Sequence, residues 1–199
     1  MPFITYSDLQ TQVANWLARD ELTANIPDFI TLFEAKIARK LNIRPTEVVA
    51  SVTMTSASGP LPADFLGMRR VTWTGNPRQE LDYVHPGFMQ ANHPVGSAGI
   101  PDVFTIEAGN IKVAPADDTA LEIVYRGKTA ALSTALNWLW TVAPDIYLYG
   151  SLAEAQGFNI DAEKLSVWKT LADEGMQDIL INDFNERTNM SMRTMGPTP

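Results

Sequence analysis

Two histidines are the residues of this sequence whose type best suits metal binding or acid–base catalysis. His85 and His93 each directly precede a proline, and both lie in stretches with loop composition. Together with Asp82 or Asp102 they would supply imidazole and carboxylate ligands for a metal ion. The sequence contains neither an HExxH motif nor a carboxylate-rich calcium loop. We therefore expect two solvated loop histidines and no metal site.

Acidic and hydroxyl side chains are the remaining candidates for hydrolytic chemistry. Two facing carboxylates can hydrolyse a glycosidic bond, but Asp117 and Asp118 lie in a stretch with turn composition. Other acids lie in helical stretches, where we expect solvated faces: Glu154, Asp161, Glu163 and Glu174. Ser58 and Ser97 lack a GxSxG context, and the chain has no Walker A glycine run. We predict no catalytic residues and no cofactor, so the sequence does not indicate an enzyme.

Composition restricts the class of protein further. The 199 residues are 45% hydrophobic, which is typical of a globular protein. Cysteine is absent, which excludes disulfides, thiolate zinc sites and iron–sulfur clusters. The formal charge of −8 is unlike the basic footprint of a nucleic-acid binder. The chain has no apolar run long enough to span a membrane, and residues 1–4 do not resemble a signal peptide, so we expect synthesis in the cytoplasm.

The first part of the chain has the hydrophobic period of a helical hairpin over residues 6–42. Ser7 is the expected N-cap of the first helix, and Pro27 suits the first turn of the second. Apolar residues recur about one helical turn apart in both helices: Leu9, Val13, Trp16 and Leu17, then Phe29, Phe33, Ile37 and Leu41. Each helix should therefore bury one face.

Helical periodicity returns at residues 133–186, after a strand-rich middle block. In this last part Asp161 is the expected cap of the final helix, and Gly175 within that helix indicates close packing. In the middle block, alternating apolar residues predict about six short antiparallel strands, with a hairpin around Ala108–Asn110. We predict an α+β fold in which the two ends of the chain form one helical bundle. The insertion should be a small antiparallel β-sandwich or open barrel.

The expected domain boundaries follow these changes of period. Residues 1–46 form the first part of the helical platform, and residues 47–129 form the β-rich insertion. Residues 130–187 complete the platform, and residues 188–199 form a flexible tail that contains methionine, glycine and proline. The aromatic cluster around Trp138 and Trp140 has two interpretations, packing between helices or exposure at a subunit contact.

Several segments, in the same order along the chain, resemble adaptor proteins of tailed bacteriophages, in particular the tail tubular protein A group of short-tailed phages. The resemblance runs from about residue 5 to residue 180. It rests on the segments Tyr6-Ser7-Asp8-Leu9, Ile26-Pro27-Asp28-Phe29-Ile30, Glu34-Ala35-Lys36-Ile37, Leu61-Pro62-Ala63-Asp64-Phe65-Leu66, Arg70-Val71, Asn137-Trp138-Leu139 and Pro144-Asp145-Ile146-Tyr147-Leu148-Tyr149-Gly150-Ser151-Leu152-Ala153-Glu154-Ala155.

The resemblance implies a structural role at the head–tail junction of the virion. It implies a homo-oligomeric ring, usually of twelve copies, which docks beneath the portal protein and extends the DNA channel. Double-stranded DNA would pass through without specific binding, and tail nozzle or tail-fibre proteins would dock on the ring. In this family the C-terminal segment commonly reaches the portal. Here Met190, Met192 and Met195 would anchor that segment, because methionine side chains adapt to irregular grooves.

Further contacts and other functions remain open at this point. The loop around Asn92 and His93 is a candidate contact with tail components, and Trp138 and Trp140 are candidate subunit or tail contacts. The main alternative function is a tail-associated glycan hydrolase or glycan-binding module. Exposed Trp73 and Tyr83 beside a carboxylate would favour that alternative. A third possibility is a helical platform protein unrelated to phages.

Overall fold

The computed structural model describes residues 5–93, 97–159 and 161–191. Two compact units divide the chain. The helical unit comprises Met1–Pro45 and Thr129–Pro199, and the β lobe is Thr46–Lys128. Both ends of the chain thus contribute to one unit, and the strand-rich block forms the other.

The helical unit contains five of the described helices. They are α1 (Tyr6–Leu17), α2 (Ile26–Lys40), α4 (Trp138–Val142), α5 (Pro144–Asn159) and α6 (Ala162–Ser191). The short helix α3 (Pro86–Asn92) lies in the β lobe. Short 3₁₀ helices follow α1 and α2, at Asp20–Asn25 and Arg44–Thr46.

The predicted helix signals are mostly confirmed, with one correction at the start of α1. The N-cap is Thr5 and not Ser7, because Thr5 forms a capping box with Asp8. The Asp8 amide donates to Thr5 Oγ1 at 3.2 Å, and the Thr5 amide donates to Asp8 Oδ2 at 2.8 Å. Pro27 lies in the first turn of α2, and Asp161 Oδ1 accepts from the Lys164 amide at 3.2 Å.

Helix α5 is the centre of the helical unit, where it packs against α1, α2, α4 and α6. A helix with neighbours on several sides needs apolar side chains on most of its surface, and α5 has them. Ile146, Tyr147 and Leu152 are each at most 1% exposed. The core includes the stripes predicted on α1 and α2: Leu9, Val13, Leu17, Phe29, Phe33, Ile37 and Leu41. Gly175 of α6 approaches Ile146 closely, since an added Cβ would lie 2.8 Å from Ile146 Cγ1.

Polar groups link the segment after residue 129 to this core. Glu34 Oε1 accepts a hydrogen bond from the Leu132 amide at 2.6 Å. The buried Asn137 amide nitrogen donates to the Tyr147 hydroxyl at 2.6 Å, and Asn137 Oδ1 accepts from the Trp140 amide at 3.0 Å. Burial raises the pKa of Tyr147. Asn137 therefore caps α4 and satisfies a buried hydroxyl at the same time.

The β lobe is a sandwich of two four-stranded sheets. One sheet has the order β1 (Glu47–Val52), β8 (Leu121–Gly127), β3 (Phe65–Trp73) and β4 (Gln79–Glu80). The other has the order β2 (Ser58–Pro60), β7 (Asn110–Ala114), β6 (Val103–Glu107) and β5 (Asp82–Tyr83). Both sheets contribute to one buried cluster, which includes Val71, Leu121 and Ile123 from the first and Phe104 and Ile111 from the second.

The strand prediction needs two corrections. The described residues hold eight strands instead of about six, and β5 pairs with β6 in parallel, with Tyr83 opposite Phe104. The parallel pairing is sterically possible because residues 84–102, which include α3, form a crossover connection between the two strands. The predicted hairpin is present: Ala108 and Gly109 have φ angles of 49° and 76°, as in a type I′ turn.

The final helix is longer than the sequence pattern indicated. We expected the helical pattern to end at Arg187, but α6 continues to Ser191. This part of the expected tail is therefore helical in the structure. Met192, Met195 and the side chain of Met190 lie outside the described residues.

Candidate functional sites and assembly surfaces

Helix α6 has apolar residues on two opposite sides. Ala172 and Met176 are buried, each 3% exposed, and face the core of the helical unit. On the other side lie Val167, Leu171 and Ile181, which we call the outer stripe and which are 36–53% exposed. Their spacings of four and ten residues bring them to one face of a helix. Glu174 and Asp178 interrupt this stripe, so the apolar pattern is not evident in the sequence.

A shallow groove of about 550 Å³ lies beside α6 on the helical unit. Trp138, Val142 and Ile179 form its apolar part, and Arg44 with its acidic partners forms the polar part. Arg44 Nε donates to Asp183 Oδ1 at 2.9 Å, and the guanidinium also contacts Glu186. These hydrogen bonds raise the pKa of Arg44. They hold the segment after α2 against the last helix, although each pair is partly exposed and contributes little alone.

The structure separates the two tryptophans that the sequence analysis grouped. Trp140 is 4% exposed, and its ring packs edge-on against Tyr147 with centroids 5.8 Å apart. Its position is that of a core residue, so its ring is not presented to a partner. Trp138 is half-buried, lines the groove and donates weakly from Nε1 to Thr129 Oγ1 at 3.4 Å. Of the two, Trp138 is the one that a partner can reach.

A second aromatic group lies where α1, α5 and α6 meet. The rings of Tyr149 and Trp168 stack at 5.9 Å with an interplanar angle of 12°. Trp16 packs against Trp168 at 5.4 Å and is nevertheless 47% exposed. The expectation that Trp16 belongs to the buried stripe of α1 is therefore wrong, because Trp16 lies at the edge of that stripe.

Asn92 and His93 lie at the C-terminal end of α3 and not in a free loop. Asn92 is the last helical residue, and its side-chain amide donates to the Phe88 carbonyl at 2.9 Å. His93 is the C-cap, with its backbone amide donating to the Met89 carbonyl at 2.9 Å. Residues 94–96 lie outside the described part of the chain.

Asp117 and Asp118, two of the side chains considered for catalysis, have structural hydrogen bonds. Asp117 Oδ1 accepts from the Thr119 amide at 2.6 Å and from Trp73 Nε1 at 3.0 Å. The bonds from Thr119 and then from Trp73 lower the pKa of Asp117. Asp118 Oδ1 accepts from the Ala57 amide at 2.8 Å, which fixes the turn before β2.

A metal-binding cluster and a membrane-spanning helix are both absent from residues 5–93, 97–159 and 161–191. Within these residues no group of three or more His, Asp or Glu side chains could hold a metal ion. Within the same ranges no helix combines the length and the apolar composition needed to cross a bilayer.

Comparison with known proteins supports the interpretation from the sequence. A search of curated proteins finds no match to the chain. The family model described as SU10 adaptor protein matches residues 4–198, which include both units. This match confirms the resemblance to phage head–tail adaptors. It identifies a structural phage protein that interacts with other head or tail components of the virion. The chain therefore belongs to the SU10 adaptor protein family.

Proposed function

We propose that this protein forms a ring beneath the portal, extends the DNA channel and receives tail components. The observation that supports a ring best is the outer stripe on α6. Apolar side chains grouped on one exposed side of a helix, here with Glu174 and Asp178 between them, are typical of a surface that contacts another protein. A second patch on the next copy would cover the stripe, and such head-to-tail contacts close into a ring when the rotation permits.

We propose that the ring has twelve copies. The overall negative charge of the chain suits a channel through which DNA passes. Positive side chains that grip phosphates would slow the passing DNA, whereas a protein of charge −8 offers few such contacts. Ring assembly would place many equal sites around one axis, so weak contacts with portal or tail proteins would add up to firm attachment.

The outer stripe gives a direct test of ring formation. We expect Val167→Asp together with Ile181→Asp to prevent ring assembly, because burying two unpaired carboxylates in an interface costs several kcal/mol. Native mass spectrometry of the chain with the portal protein of the same phage would report the copy number. Ser166→Asp adds one such carboxylate at a neighbouring exposed polar position of α6, off the outer stripe, and should leave assembly intact.

This experiment has a clear contrary outcome. The double variant should keep the circular dichroism and melting temperature of the parent, because both side chains already face solvent in the single chain. Full rings formed by a folded double variant would show that another surface carries the contact.

We further propose that the C-terminal segment binds the portal through Met190, Met192 and Met195. A segment that orders on binding loses conformational entropy, so its affinity would depend on many copies acting together. Deletion of residues 188–199 should abolish binding to the portal and leave the fold unchanged. A control that keeps the length, with the three methionines replaced by glutamine, separates side-chain anchoring from loss of the segment. Unchanged portal binding by both variants would refute the proposal.

The β lobe is our candidate for contacts with nozzle or fibre proteins, through the end of α3 at Asn92 and His93. The half-buried Trp138 is the corresponding candidate on the helical unit. Replacement of Asn92 and His93 by alanine should weaken capture of tail proteins and leave the ring assembled. Complete tails on particles that carry this variant would argue against the assignment.

The glycan hydrolase alternative loses one of its two supports. Trp73 is 6% exposed, and its Nε1 donates to Asp117. Its ring therefore lies within the sandwich core and offers no platform for a sugar. Tyr83 is exposed and stands next to Asp82, but one aromatic beside one acid does not make the carboxylate pair of a glycosidase.

A further inference from the structure

The outer face of the sheet formed by β1, β8, β3 and β4 carries several arginines, although the chain is acidic overall. Along β8, Leu121, Ile123 and Tyr125 are buried, so the side chains between them point away from the core of the sandwich. Four arginines lie on this outer side, which we call the arginine face: Arg69, Arg70, Arg78 and Arg126. A chain with a formal charge of −8 thus places four of its 15 lysines and arginines on one surface.

A β-bulge in β3 brings two consecutive arginines to this face. The register against β8 shifts between Met68 and Arg70, so Arg69 is an additional residue in the strand. Arg70 is the register partner of Val124, which points outward. Arg69 Nε lies 3.4 Å from Glu47 Oε1 on the same side of the sheet. In a regular strand one of two consecutive side chains would point into the core, so the bulge is what exposes both.

The acidic side chains of this face leave room for further carboxylates. Glu122 Oε1 lies 2.9 Å from Arg78 Nη2 and 4.0 Å from Arg70 Nη2, so one carboxylate serves two guanidinium groups. The Arg70 side chain is 51% exposed, and the longer of these two contacts leaves its guanidinium accessible to another acid. Glu47 and Glu80 lie on the same face and would repel a phosphate backbone. The face therefore suits a few carboxylates of a protein better than it suits DNA.

An apolar strip continues from Arg70 across the neighbouring strands. Val49, Val124 and Arg70 are register partners in one row across β1, β8 and β3. Val49 is 64% exposed. In the next row Gly67 of β3 has no atom within 4 Å of an added Cβ, so space is open above the strand. A helix that presents both apolar and acidic side chains would fit this surface, because helices commonly pack across the face of a sheet.

The outer stripe of α6 has these complementary features. Glu174 and Asp178 are exposed and lie between Leu171 and Ile181 at spacings of three and four residues, so all four share one side of the helix. The stripe thus combines apolar side chains with two carboxylates on a surface that faces away from the core of the helical unit.

The spacing of the two patches also agrees. Leu171 and Asp178 are seven residues apart, which is about 10 Å along a helix. Val49 and Arg70 are two strand spacings apart, which is also about 10 Å. A helix laid across the strands can therefore place Leu171 over Val49 and Asp178 beside Arg70 at the same time.

We propose that the arginine face of one copy binds the outer stripe on α6 of the next copy. This inference rests on the ring proposed above and names the patch that covers the outer stripe. The two patches are different surfaces, so the contact is head-to-tail and each copy uses one patch on either side. The valines and the stripe would supply the buried apolar area, and the arginines would fix the register of neighbouring copies through Glu174 and Asp178.

Reversal of the charges on each patch tests this contact. We expect Glu174→Lys with Asp178→Lys, and separately Arg69→Glu with Arg70→Glu, to lower the yield of rings on the portal protein of the same phage by about tenfold or more, because like charges would face each other. A mixture of the two variants should restore the rings, since each reversed α6 then meets a reversed arginine face. Native mass spectrometry should find equal numbers of the two variants in each ring, because only alternating copies match.

Controls separate this contact from folding and from total charge. Ser166→Lys with Gln177→Lys adds positive charge to exposed positions of α6 off the outer stripe. This control should form rings alone and should not rescue the arginine variant in a mixture. Circular dichroism and the melting temperature report whether each variant folds. If the double arginine variant does not fold, Arg70→Glu with Asp178→Lys as its partner gives the same test.

The contrary outcomes distinguish this contact from the ring itself. Rings formed by a folded arginine variant alone would overturn the proposed contact and leave the ring proposal standing. Failure of the mixture of folded variants to restore rings would overturn the contact as well. Absence of rings from the parent chain on its portal would refute the ring and the contact together.

Discussion

Gly150 on the central helix α5 provides the sharpest test of how the helical unit packs. A Cβ added at Gly150 would overlap the ring atoms Cε2, Cζ and Cδ2 of Phe33 on α2. Phe33 is 2% exposed, and its ring packs edge-on against Tyr147 with centroids 5.9 Å apart. The ring cannot move away into solvent, so the Gly150→Ala variant must displace α2 relative to α5.

The expected change in stability has two opposing contributions. Alanine in place of glycine favours a helix by roughly 1 kcal/mol. Overpacking a core typically costs about 1–3 kcal/mol, and disturbing an aromatic pair adds about 0.5–1.5 kcal/mol. The steric cost dominates at Gly150, so we expect a net loss of about 2 kcal/mol. For a chain of this size, that lowers the melting temperature by roughly 4–8 °C.

Gly157 on the same helix is the matched control. The nearest atom to a Cβ added there is Leu165 Cδ1 at 3.9 Å, an ordinary contact. Gly157→Ala should therefore gain stability from helix propensity alone, by up to about 1 kcal/mol. Urea unfolding followed by tryptophan fluorescence would measure both changes. The reasoning fails if Gly150→Ala is as stable as the parent, since the two helices would then not approach as closely as described.

A double-variant cycle with Phe33→Leu assigns the loss to the contact between the two residues. Leucine at position 33 removes ring atoms that the added methyl group would meet. The cost of Gly150→Ala should therefore be smaller in the Phe33→Leu background than in the parent. Equal costs in both backgrounds would show that the loss arises elsewhere in α5.

Three further predictions concern single polar groups. Asn137→Ala should lower the free energy of unfolding in urea by about 2 kcal/mol, because it removes the cap of α4 and leaves the Tyr147 hydroxyl without its amide donor. A decrease smaller than the measurement error would contradict this prediction. Ser151→Ala should raise the free energy of unfolding in the same assay by about 1 kcal/mol, because the hydroxyl of Ser151 is fully buried without a partner among the described residues. A lower free energy of unfolding would contradict this and would reveal a hydrogen bond that the structure does not show. Asp117 has a lowered pKa in the folded state, so its carboxylate stabilises the fold above the unfolded pKa of about 3.9, and this contribution disappears as the pH falls through the folded value. Asp117→Asn should accordingly be less stable than the parent at pH 7, and the difference in the free energy of unfolding should shrink below about pH 4. A difference that does not change with pH would exclude a role for the charge of Asp117, whose carboxylate accepts from Trp73 Nε1.

The sequence predicts the faces of the helices well because helical period and burial are directly linked. With the exception of Trp16, the stripes predicted on α1 and α2 are buried, and Gly175 marks a close helix contact. The N-cap of α1 was wrong by two residues because Thr5 and Ser7 are equally good caps in isolation. Each also has a residue suited to a capping box three positions later, Asp8 after Thr5 and Gln10 after Ser7, so the sequence alone does not distinguish the two caps.

Features that depend on distant parts of the chain were not predictable in the same way. Strands as short as β2 and β4 contain too few residues to show an alternating pattern. The different environments of Trp138 and Trp140 follow from their placement on α4 against the core, which local composition does not reveal. The packing of α3 against β6 brings together separate elements, and local composition does not reveal it.

The pairing of β1 with β8 also determines how the β lobe is joined to the rest of the polypeptide. Glu47 is the register partner of Arg126, so the chain enters and leaves the lobe through neighbouring strands at the same end of one sheet. Paired residues in antiparallel strands are about 5 Å apart, so a short linker could replace the whole lobe without stretching the remaining chain. The lobe can thus be exchanged for another module during evolution or engineering. A pulling force applied through both connections would peel these two strands apart one hydrogen bond at a time.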